Sequence, residues 1–199
     1  MGKLVPGAAI FEVIFFVAII GILAGLRLPL ESSDIFILPF FAIVSLRLGY
    51  LIKKGELSLK KDIFNFKDSA KAIVYFAIFS LFAIFVLWLL KDTISMPFWL
   101  SENTLFMLVH TFIQQIIFRV YLVNRLKLIT RSAWLIALSA GAIFAGAHLI
   151  MPDTWSLLPL LFVAGTVWAY LYQKYPNVIF LWLSHLAIDA SIHFLYPLN

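Results

Sequence analysis

Residues 104–123 read TLFMLVHTFIQQIIFRVYLV, a membrane-length run that carries His110, Gln114, Gln115 and Arg119 among apolar neighbours. A helix needs about 20 apolar residues to cross the hydrocarbon core. Polar side chains at that depth are costly, so they turn toward one another rather than toward lipid. This stretch therefore predicts both a membrane span and a polar centre for the spans around it to enclose.

Working outward, six further stretches reach or approach that length: Ala8–Leu26, Ile35–Ile52, Ala70–Leu90, Ala133–Ile150, Ser156–Tyr172 and Val178–Tyr196. With Thr104–Val123 they predict an all-α polytopic membrane protein of about seven helices. It reads as a single integral-membrane domain over 1–199, with N-terminal spans in 1–100 and the motif-bearing core in 101–199. No barrel-type alternation appears, and open sheets cannot sit in lipid. The first stretch has no small-residue cleavage site and reads as a span rather than a removable signal peptide. Prolines punctuate the blocks, because proline lacks an N–H. Pro39 and Pro159 are expected in the first turns of the second and sixth spans.

Composition excludes the alternatives. The chain is 63% hydrophobic and 13% charged, with mean hydropathy +1.02. A soluble domain is about 45–50% apolar and about 25% charged. The net charge of +5 is gathered in short loops, a topology pattern rather than a nucleic-acid stripe. The absence of cysteine excludes disulfides, thiolate metal sites and a cysteine nucleophile. The one long connection, Lys53–Lys71, mixes lysines with Leu57, Leu59, Ile63, Phe64 and Phe66. It reads either as an interfacial segment on an anionic leaflet or as a plain solvated loop.

The polar residues are unevenly spread. Glu12 and Arg47 are expected to reach an interface by snorkelling. The fourth span holds His110, Gln114, Gln115 and Arg119, the fifth ends at His148, and the seventh carries His185, Asp189 and His193. Residues four apart share a helix face, which predicts Gln115 stacked with Arg119, His110 with Gln114, and one stripe through His185, Asp189 and His193. Interhelical glue would account for one such group. Histidines on three helices, an aspartate and an arginine point instead to a catalytic or ligand site.

Three of these runs are specific. Gln114-Gln115-x-x-x-Arg119, Phe144-x-x-x-His148 and His185-x-x-x-Asp189 resemble, in order and spacing, the motifs of the CAAX protease and bacteriocin-processing family of intramembrane proteases. Those motifs are Glu-Glu-x-x-x-Arg, Phe-x-x-x-His and His-x-x-x-Asn/Asp. Gly165 in the sixth span fits too, and the resemblance covers about Thr104 to Tyr196. It implies an endopeptidase acting on a membrane-anchored protein or peptide, without nucleic acid and without a cofactor. By resemblance, Gln114 stands where the family has its general base, and Gln115 where a second glutamate pairs with the arginine matching Arg119. The residues matching His148 and His185 position water and the scissile carbonyl, and the one matching Asp189 lies near the oxyanion, with Phe144 and His193 in support. A zinc variant would use His148, His185 and Asp189 or His193.

The departure is that both motif glutamates are glutamine. A general base must accept a proton, which an amide cannot do, so an inactive form is expected. The pair reads as a deliberate inactivating replacement. A natural pseudoprotease that binds membrane segments, as a chaperone or immunity factor, is the alternative. Lysine and arginine in the loops after the second, fourth and sixth spans predict a cytoplasmic N-terminus and an outer C-terminus, and the expected setting is a prokaryotic plasma membrane. A reporter that works only in the cytoplasm, fused after Asn199, should therefore stay silent, and strong activity would reverse the orientation.

Overall fold

The computed structural model describes residues 6–26, 30–91, 104–150 and 155–195, by backbone alone at 30–38, 40–41, 104–106 and 193–194. Glu31 and Asp34 are thus placed by backbone alone. Lys3, Pro29, Pro97, Pro152, Asp153, Tyr196 and Asn199 lie outside the described residues.

Among those residues the chain forms seven helical rods. They are α1 (Pro6–Leu26), α2 (Leu30–Lys53), α3 (Ser69–Leu90), a composite rod, α6 (Ala133–His148), α7 (Leu158–Lys174) and α8 (Val178–Leu195). The composite rod joins α4 (Thr104–Gln115) to α5 (Leu122–Ile129) through a π-helical stretch, Ile116–Tyr121. Three segments, Pro6–Leu26, Ser69–Leu90 and Trp155–Lys174, are long and apolar enough to cross a membrane, and Ala133–His148 and Val178–Ile192 are apolar but shorter. Helices satisfy every backbone N–H internally, which hydrocarbon demands. Large apolar side chains such as Phe11, Leu46, Leu81, Phe82 and Trp134 face outward, as they do when lipid is the solvent. The second helix starts earlier than expected, so Pro39 lies in its interior rather than its first turn. Pro159 does sit at the start of α7.

The composite rod runs through the middle. Its Ile117, Val120, Leu122 and Val123 are fully buried. Phe118 meets Phe16 of α1 edge-on at 5.7 Å and Phe144 of α6 at 5.2 Å. The closest pairing is α6 on α7, built on small residues as membrane interfaces commonly are. A Cβ on Gly141 would run into the Thr166 hydroxyl, and would lie 2.8 Å from Phe162 O and from Thr166 N. A Cβ on Gly165 would lie 3.0 Å from Gly141 Cα.

Glu12 and Arg47 depart from the snorkelling expectation. They pair with each other. Glu12 also accepts from the Tyr121 hydroxyl at 2.9 Å and lies 3.8 Å from Arg125 Nε. Arg125, itself buried, reaches Glu56 at 3.8 Å. Two acids facing two arginines hold α1, α2 and α5 together at one end of the bundle. Snorkelling assumes a lone charge with water in reach, whereas here each charge has an opposite on a neighbouring helix.

The long connection docks on the same end. Gly55, at φ +73°, and Asp68, at φ +57°, turn the backbone at its two limits, conformations that glycine and aspartate accept more readily than most residues. Between them, Leu57 and Ile63 are buried. Tyr172 donates to Asp62 O at 2.5 Å, Asn177 Nδ2 donates to Asn65 O at 3.1 Å, and Phe64 bridges to Asn177. The segment is a cap fixed across the α7–α8 turn.

Gly141→Ala should destabilise the protein by about 1–3 kcal/mol, the usual cost of overpacking, because the blocking atoms include backbone. Thermal unfolding in detergent measures this. An unchanged midpoint would show that α6 and α7 can separate freely.

Candidate functional site

The centre of the bundle is built from α4, the π-helical stretch, α6, α7 and α8. Trp182 of α8 donates to Leu108 O at 3.0 Å and to Thr111 Oγ1 at 3.1 Å. These bonds fix α8 along α4, with Phe112 edge-on to the same indole at 5.6 Å. One turn later on α8, His185 faces Gln115.

Gln115 Nε2 lies 2.6 Å from His185 Nδ1, and His185 Nε2 lies 3.5 Å from Asp189 Oδ2. Donation by the amide makes Nδ1 the acceptor and leaves the ring proton on Nε2, directed at Asp189. Three motif residues thus form a chain from the composite rod through α8. Gln114 Nε2 lies 3.4 Å from the His110 ring nitrogens, a long contact one turn back. Both amide oxygens, Gln114 Oε1 and Gln115 Oε1, are buried without a hydrogen bond among the described residues.

Arg119 departs from the expected stacking. Its Nη1 reaches Phe118 O at 3.5 Å, and among the described residues its Nε and Nη2 are buried without a hydrogen bond. The guanidinium lies 5.0 Å over the Phe144 ring and 5.8 Å over the Trp168 ring. The physical reason is the π-helical stretch, which begins right after Gln115. An i→i+5 ladder breaks the one-turn alignment on which a four-residue stack depends.

Phe144 ties the remaining residues in. Its ring is 4.7 Å from that of His148 and 6.2 Å from that of His185. Its carbonyl oxygen lies 2.8 Å from His148 Nδ1, which fixes the imidazole at the end of α6. His193 continues α8, and its side chain lies outside the described residues.

Sequence reasoning missed Trp168, Ser184 and Ser80. The Trp168 ring rests 4.5 Å from that of His185, and its Nε1 donates to Ser184 Oγ at 3.0 Å. Ser184 Oγ is in turn 2.8 Å from Ser80 Oγ. A signal was present: Ser184 is the polar residue next to His185, and Trp168 lies one turn beyond Gly165.

A cavity of about 340 Å³ opens beside this chain. Phe82 and Val86 of α3 form one wall and Leu160 and Val163 of α7 the other, with His185, Asp189 and Ile192 of α8 inside. Phe144 and Trp168 close its inner end, while Gln114, Gln115 and His148 are not among its lining residues. Among the described residues no three His, Asp or Glu side chains are grouped as a metal site would need. Of the zinc donors considered above, His185 and Asp189 stand together.

The 2.6 Å contact makes a prediction. Glutamate can only accept a hydrogen bond, so Gln115→Glu should move the His185 ring proton from Nε2 to Nδ1. Nitrogen chemical shifts of labelled histidine report the tautomer. An Nε2–H tautomer in both forms would show that residue 115 does not set it.

Residues 95–191 match the family model described as Type II CAAX prenyl endopeptidase Rce1-like. No curated protein and no solved structure matches the chain. The matched segment holds the composite rod, α6, α7 and the part of α8 bearing His185 and Asp189. Through that segment, just under half of the chain, the protein is similar to the Rce1-like family of type II CAAX prenyl endopeptidases.

Proposed function

We propose that this chain is an intramembrane endopeptidase fold that receives a membrane-anchored protein or peptide and, with glutamine at 114 and 115, holds it without cutting. The family is one of proteases acting on membrane-associated substrates. One observation carries the rest: an almost wholly apolar groove between α3 and α7 ends on the polar pair His185 and Asp189. Phe82 and Val163 at its walls are exposed, so a chain arriving through lipid meets no polar barrier. Its apolar part would lie along α3 and α7 and present a peptide bond to the Gln115–His185–Asp189 chain.

Hydrolysis then requires a group to take a proton from the attacking water. His185 Nδ1 is occupied by Gln115, and His185 Nε2 faces Asp189. The amides at 114 and 115 accept no proton. No cofactor takes part in this scheme. The groove lies in the half of the bundle remote from the Lys53–Lys71 cap. With the N-terminus cytoplasmic in a prokaryotic plasma membrane, it opens toward the outer leaflet.

The second function uses the same groove without chemistry: a pseudoprotease that binds membrane segments as a chaperone or immunity factor. It is favoured by a groove that remains intact while the two amide oxygens beside it have no partner.

Co-expression of candidate membrane-anchored substrates with four variants separates the two. Gln114→Glu together with Gln115→Glu should restore cleavage by about 10²–10⁴-fold, the usual value of general acid–base catalysis. Gln114→Glu alone should recover part of it. Equal cleavage by the glutamine and glutamate forms would move the chemistry to His185 and Asp189. Binding without cleavage in all four would favour the pseudoprotease.

A further inference from the structure

The cap between α2 and α3 is docked on one side and open on the other. Its docked side carries Leu57, Ile63, the Asp62 carbonyl and Asn65, all engaged with the bundle. Its open side presents Leu59, Phe64 and Phe66, exposed by 50%, 39% and 60%, with one edge of Phe66 resting on Phe180 of α8 at 6.1 Å. Lysines 60, 61 and 67 alternate with these residues, exposed and without an ion pair among the described residues. The acids nearby are already engaged: Glu56 with Arg125, Asp62 with the Ser58 N–H at 2.7 Å, and Asp68 with Lys71 at 3.7 Å. The face offered outward is therefore cationic and apolar together.

Its level relative to the bilayer is set by its neighbours. Apolar α2 ends at Lys53 and apolar α3 begins at Ser69, so the cap lies where both helices leave the hydrocarbon. Tyr75 and Tyr175 stack beside it at 5.6 Å, with Lys174 over both rings. Aromatic rings with lysines over them are a usual interfacial composition. Water gives Leu59, Phe64 and Phe66 no compensation for their exposure. The headgroup region does, and anionic headgroups also answer the unpaired lysines.

We propose that residues 58–68 form a rigid docking surface for anionic phospholipid headgroups, with Leu59, Phe64 and Phe66 inserted into the leaflet and Lys60, Lys61 and Lys67 gathering its acidic lipids. The surface is independent of whether the chain cuts peptide bonds. The hydrogen bonds to Tyr172 and Asn177 hold it in place without a ligand, so it binds as a preformed face rather than by folding.

The chain has no cysteine, which makes a single label straightforward. The full-length Phe66→Cys protein, labelled with an environment-sensitive fluorophore, is reconstituted in bilayers of phosphatidylcholine and phosphatidylglycerol in equal parts. Spin-labelled phosphatidylglycerol or spin-labelled phosphatidylcholine then serves as the quencher. Quenching by the anionic lipid is expected to exceed that by the zwitterionic lipid about two- to fivefold, since each lysine near the surface contributes appreciably to anionic attraction. Lys60→Glu with Lys61→Glu should bring the ratio to one. Half-molar salt should do the same for the unaltered lysines, because screening lengths fall to a few ångströms, and that arm needs no charge-reversed variant to fold. A ratio of one in the starting protein would overturn the selection for anionic lipid. No quenching by either lipid would place the cap in water, as a solvated loop or a site for a soluble partner, and would overturn the proposal altogether.

Discussion

Arg119 is a full charge with no exposed surface and, among the described residues, no ion-pair partner. Leaving a buried charge unpaired costs several kcal/mol, and the surrounding architecture answers that cost with π faces. Phe144 and Trp168, edge-on to each other at 6.0 Å, both present their rings to the guanidinium, a contact worth about 2 kcal/mol or more when water is excluded. Both rings must then be held within a few ångströms of the composite rod. That requires α6 and α7 to approach closely, which the facing glycines 141 and 165 allow. The same two rings also pack against His185. The cation, the close helix pair and the imidazole are thus one packing problem.

The fold was largely legible because lipid makes hydrophobic length an unusually direct signal. Seven stretches predicted seven rods, with ends moved by a few residues. What the sequence withheld was partnership. Glu12 and Arg47 lie 35 residues apart, and nothing in the order of residues reveals that α1 and α2 bring them together beside Tyr121 and Arg125. Snorkelling was the natural expectation for each charge taken singly.

The site was legible in part. Gln115, His185 and Asp189 do meet, as their spacing on two helices suggests. Arg119 does not follow its expected partner, because helical spacing arguments assume an unbroken α ladder and the ladder changes between the two residues. Trp168 and Ser184 were hidden for a different reason. Tryptophan and serine are ordinary in membrane helices, and only their bond to each other, with Ser80 beyond it, marks them as the support behind His185.

The π-helical stretch has a consequence for how one helix serves two purposes. In a plain α-helix each added residue turns the azimuth by about 100°, and the faces above and below a given level stay in fixed phase. A local widening of the ladder resets that phase. Upstream, the rod points Gln115 at α8. At its end and beyond, it points Tyr121 and Arg125 at Glu12 on α1. The two polar clusters can therefore be oriented separately although they share a backbone. A change of register in six residues separates the demands of chemistry at one level from those of assembly at the other.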